Sequence, residues 1–86
     1  MKLLFHRSFE KKYKKVPVKI RHQFNKRLFI FISEPFNKQL NNHTLRGKYE
    51  GYRSINVNGD FRAIFEIIDE STVRFIDVAT HSKLYK

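Results

Sequence analysis

The 86-residue chain has no cysteine, which excludes a disulfide framework and a thiolate metal site. It also lacks any long apolar run. The longest, LFIFI at Leu28 to Ile32, falls far below the ~20 residues a membrane-spanning helix needs. The opening MKLLFHRSFEKKYKK holds three consecutive apolar residues before charge takes over, so no secretory signal is expected. A soluble, cytoplasmic protein without membrane association is expected. Glycine is scarce as well, with all three residues between positions 47 and 59, and no Gly-rich phosphate loop is present. There is no serine nucleophile elbow and no pair of carboxylates on one helix face. The four histidines match no zinc spacing, so neither a metal nor a cofactor is expected.

Acidic residues are missing from one half only. Residues 1 to 48 carry 13 Lys and Arg against Glu10 and Glu34, while residues 49 to 86 carry five against six acids. The net charge of +10 therefore sits in the first half. A basic face of that density favours a polyanion or an acidic protein partner, because unrelieved self-repulsion is unfavourable. What remains is well suited to folding: 41% apolar and 15% aromatic residues, with nine Phe and four Tyr. One domain over residues 1–86 is expected, with a single modest core.

The pattern along the chain is β-α-α-β-β-β. KLLFH reads as an opening strand, and Ser8 as the cap of a basic helix with Phe9, Tyr13 and Val16 on one side. Pro17 breaks that helix and starts the next, in which Ile20, Phe24, Leu28 and Phe31 form an apolar stripe. SEPFN stops it, and residues 36 to 51 read as a loop. Then YRSINV, FRAIFEII and TVRFIDVA read as strands separated by NGD and DES. The expected fold is α+β, an antiparallel sheet packed against a helical hairpin. Asn58-Gly59 favours a two-residue type I′ turn. That turn pairs Ile55 with Arg62 and Arg53 with Ile64, so that Arg53, Asp60 and Arg62 share one face and Phe61, Ala63, Phe65 and Ile67 the core face. A bulge at the turn would reverse part of this.

His6 and His22 read as surface or packing residues. His43, in the loop, and His81, where the last strand ends, remain with Asp, Arg and Tyr on a basic scaffold. That set suits cleavage of an RNA phosphodiester: a base for the 2′-hydroxyl, an acid for the leaving 5′-oxygen and a fixed cation for the phosphorane. Histidine titrates near neutrality, arginine supplies a bidentate cation, and tyrosine stacks on a base or donates a proton.

NHTLRGKYEGYRSINVNGDFRAIFEIID followed by DVATHSKLYK resembles the RelE/ParE superfamily of bacterial toxins, nearest in pattern to its YafQ-like branch of mRNA interferases. The second half carries the likeness closely; the first matches in layout and basic character. The resemblance implies a small RelE-like toxin of a type II toxin-antitoxin system that cuts translated mRNA in the ribosomal A site, with contacts to 16S rRNA. An acidic cognate antitoxin would silence it. Residue by residue, it implies acid/base chemistry for His43, a catalytic role for Asp60, phosphate stabilisation by Arg62, a general acid in His81 and nucleotide orientation by Tyr85. Arg46, Lys48 and Arg53 would hold the RNA backbone. A helical turn from His81 would bring Tyr85 to the same side. The departure is Asn56, where YafQ-like toxins usually carry a second histidine; an amide cannot transfer a proton at neutral pH. The alternatives are a ParE-like gyrase inhibitor and a non-catalytic RNA-binding module.

Overall fold

A computed structural model describes residues 1–84; Tyr85, and with it the expected placement beside His81, lies outside the described residues. Strand β1 (Lys2–Phe5) leads into α1 (Arg7–Lys15) and α2 (Val18–Ser33). A 3-10 turn (Lys38–Leu40), the two-residue β2 (His43–Thr44) and a second 3-10 turn (Gly47–Tyr49) follow. The chain then forms β3 (Arg53–Asn56), β4 (Phe61–Asp69), β5 (Thr72–Thr80) and the single helical turn α3 (His81–Leu84). The α+β layout is as expected. The sheet, of order β1-β5-β4-β3-β2, is mixed rather than wholly antiparallel, because β1 pairs parallel to β5.

The two helices pack on one face. Phe9, Phe24 and Phe31 meet Phe65 and Phe75 there, with ring centroids 5.0–5.8 Å apart. Neither helix has enough apolar surface to stand alone, so this aromatic layer holds both. α1 starts differently from the sequence expectation. His6 is the cap, its Nδ1 accepting from the Ser8 N–H at 3.1 Å. The Ser8 hydroxyl is freed to donate to the Ile76 carbonyl at 2.7 Å, tying the helix to β5. On the opposite face, Leu45, Ile64, Ala79 and Leu84 form a smaller buried cluster with Tyr49, Tyr52 and Ile76 against it.

The β3–β4 turn also departs from expectation, and this decides which residues face the site. Val57 N–H bonds the Phe61 carbonyl at 2.9 Å, leaving Asn58, Gly59 and Asp60 as a three-residue loop. The Asn58 carboxamide accepts from the Asp60 and Phe61 N–H groups at 2.8 and 2.7 Å, so a side chain does the turning. Gly59 is not among the residues with positive φ, and no type I′ turn forms. The register moves by one residue: Arg53 pairs with Phe65, Ile55 with Ala63 and Asn56 with Arg62. The faces expected for Ala63 and Phe65 hold, both being buried toward the helices. Arg53 falls on the helix side, and Asn56 joins Arg62 on the other.

Candidate active site

The sheet face away from the helices collects chemistry from neighbouring strands. β2 supplies His43, which pairs with Ser54 of β3. Two residues further along β3, Asn56 lies opposite Arg62 of β4, which in turn pairs with Ala79 of β5. Side chains at paired positions leave the same side of a sheet, so His43, Asn56 and Arg62 share this face. β5 ends one residue before His81, whose N–H donates to the Asp60 carbonyl at 2.7 Å. That bond joins the hairpin turn to the start of α3. β2 and β5 lie three strand spacings apart, about 14 Å. A ligand meeting both His43 and His81 therefore lies across β3 and β4, over Asn56 and Arg62.

Each side chain has a defined setting. His43 is half-buried, and its Nδ1 is 2.7 Å from the Asn41 carbonyl oxygen. A carbonyl only accepts, so Nδ1 carries the proton and Nε2 keeps a lone pair when the ring is neutral. Arg62 Nη1 donates to the Asn58 and Phe61 carbonyls at 2.9 and 3.1 Å, holding the guanidinium at the turn. Asp60 and His81 are exposed. The Ser54 hydroxyl oxygen and Asn56 Oδ1 are buried, with no hydrogen-bond partner among the described residues.

Arg46 and Lys48 are exposed beside β2, with Lys48 Nζ 5.3 Å from the centre of the Tyr49 ring. The structure does not bring Arg53 to this group. Its Nε donates to Asn42 Oδ1 at 2.7 Å, and its guanidinium lies 5.3 Å from the Phe36 ring centre. Among the described residues no cluster of three His, Cys, Asp or Glu is placed to hold a metal ion, and no helix is long and apolar enough to cross a membrane.

The family described as the bacterial toxin of type II toxin-antitoxin system, YafQ, matches residues 1–86. The chain belongs to the YafQ toxin family. Its fold is similar to YafQ from E. coli strain BL21(DE3), at TM-score 0.76 and 21% identity over 98% of this chain and 97% of that one. It is also similar to a YoeB/ParE toxin from Agrobacterium tumefaciens, at TM-score 0.76 and 19% identity, covering 94% and 99%. The E. coli DinJ-YafQ toxin-antitoxin complex matches at TM-score 0.72 and 23% identity, covering 98% and 96%. At such identities these structures speak to the fold alone. No curated protein matches the chain.

Sequence reasoning about this YafQ-family chain missed a polar cluster at the border of the same face. The Tyr49 hydroxyl donates to Asp77 Oδ2 at 2.9 Å, and Lys12 of α1 reaches Asp77 Oδ1 at 2.7 Å. Desolvation, then the hydrogen bond and charge of Asp77, push the Tyr49 phenol up to about 12. The cluster fastens the loop carrying Arg46 and Lys48 to β5. The signal was present in FIDVA, an aspartate inside an otherwise apolar run; a buried carboxylate needs a partner.

Proposed function

We propose that this YafQ-family toxin is an endoribonuclease that cleaves mRNA on the ribosome by metal-independent acid/base chemistry. The observation that carries the reading is the row of candidates on adjacent strands, from His43 through Asn56 and Arg62 to His81. His43 Nε2 takes the proton of a 2′-hydroxyl, and that oxygen attacks the adjacent phosphorus. The bond to the 5′-oxygen breaks as His81 gives that oxygen a proton. The products are a 2′,3′-cyclic phosphate and a free 5′-hydroxyl. Arg62 meets the charge of the phosphorane, a fixed cation at the place where charge develops. Asp60, joined to His81 through its carbonyl, sets where the acid begins. Asn56 contributes a hydrogen bond and no proton transfer. Tyr85 orients the nucleotide, and Arg46 and Lys48 hold the backbone. Neither of those two needs to read sequence.

An acidic antitoxin is the proposed partner. The first half of the chain has the charge to receive it, and the structurally similar E. coli YafQ was solved in a toxin-antitoxin complex with DinJ. Mapping of new 5′ ends in cellular mRNA after brief induction tests the reading. Cuts in phase with the reading frame are expected. An unchanged transcriptome, with DNA replication stopping before protein synthesis, would instead indicate a gyrase inhibitor.

A further inference from the structure

We propose that the Asn41-Asn42 turn is a positioning device that fixes the tautomer of His43, with Arg53 as its clamp. The inference rests on the role given to His43 above and adds residues that role does not contain. Asn41 is the only non-glycine residue with positive φ among those described, at φ 47° and ψ 50°. Asparagine tolerates this left-handed conformation better than most side chains do. The conformation matters because the acceptor is only two residues from the ring it serves. The left-handed turn at Asn41 brings its carbonyl back to within 2.7 Å of His43 Nδ1.

The turn is anchored on every side. Leu40, immediately before it, is fully buried in the helix-side core. The Asn41 N–H donates to the Lys38 carbonyl at 3.3 Å. Asn42 Nδ2 donates to the Pro35 carbonyl at 2.9 Å, and Asn42 Oδ1 accepts from Arg53 Nε at 2.7 Å. Arg27 reaches the same segment, its Nη1 donating to the Gln39 side-chain oxygen at 3.1 Å. Arg53, on the face away from the candidate site, thus acts on it through Asn42. Without such a fixed acceptor either ring nitrogen of a neutral histidine can hold the proton. With it, Nε2 stays basic and aimed away from the turn.

The test reads the His43 ring nitrogens by 15N NMR in the full-length toxin, at a pH where the ring is neutral, with His43→Gln assigning the signals. Wild type and Asn41→Gly should both carry the proton on Nδ1, because glycine adopts positive φ freely. Asn41→Val, a β-branched residue at that φ, should populate both tautomers and lower cleavage on the order of tenfold. Arg53→Gln leaves the Asn41 backbone chemistry untouched and should move the tautomer the same way; it carries the test if the valine variant does not fold. A wild-type ring protonated on Nε2, or a tautomer unmoved in folded Asn41→Val or in folded Arg53→Gln, overturns the proposal. Full cleavage by His43→Gln would remove His43 from the reaction without altering the tautomer result, so the two readings fail separately.

Discussion

On the helix side of the sheet, Phe75 packs against Phe5, Phe9, Phe24, Phe31 and Phe65, and the buried cluster is wholly apolar. On the other side, Ser54 and Asn56 bury oxygens that meet no hydrogen-bond partner among the described residues, Asp77 is buried in a polar cluster, and the apolar cluster is small. Among those residues the helix-side cluster joins twelve buried apolar ones and the other face only four, so the second face is stabilised less by its own packing than by the layer behind it. The difference teaches how so short a chain can carry chemistry. One face supplies the folding energy, and the other is free to hold groups that folding alone would not select.

The strongest way to break this division is Phe75→Ala. Removing the central ring should cost about 3–5 kcal/mol, read as a fall in the denaturant midpoint, with activity lost only as the protein unfolds. Tyr49→Phe sharpens the contrast on the other face. It removes the donor to Asp77 Oδ2 and should cost about 1–2 kcal/mol. It should also change the alkaline limb of stability. The folded phenol titrates at about 12 rather than 10.0, so its contribution is complete below about pH 10 and is lost as pH rises through about 12. The phenylalanine variant should lack that loss in alkaline unfolding curves.

The smallest effect belongs at the far hairpin. The Ser71 N–H, followed by the Thr72 side chain, lowers the Asp69 carboxyl below its ordinary value. Its contribution is present above the unfolded pKa and is lost as pH falls through the lowered folded value. Asp69→Asn should weaken the acid dependence of the unfolding midpoint slightly, without touching cleavage.

The sequence makes the helix side legible because periodicity reports burial directly. Ile20, Phe24 and Phe31 are buried at the expected spacing. The site face is harder to read, since one residue of register exchanges the two sides of a strand. Asn58-Gly59 has the composition of a two-residue turn, yet the Asn58 carboxamide satisfies two backbone donors and lengthens the loop by one. That single residue moves Arg53 off the site face and Asn56 onto it. β2 was hidden for a different reason: two residues are too few to show alternation, and His43–Thr44 is recognisable only by its pairing with β3. The resemblance pointed to His43, Asp60, Arg62 and His81. The device around Asn41 depends on backbone torsion, which no residue pattern displays.

The most direct measurement is cleavage of ribosome-bound mRNA by His81→Ala, made beside its unfolding midpoint. His81 is exposed, so the substitution removes no core packing and the variant should remain folded at the assay temperature. Loss of the proposed general acid should lower cleavage on the order of 10²-fold or more. Wild-type cleavage by this variant, or a cleavage loss that only follows a loss of fold, would contradict the account.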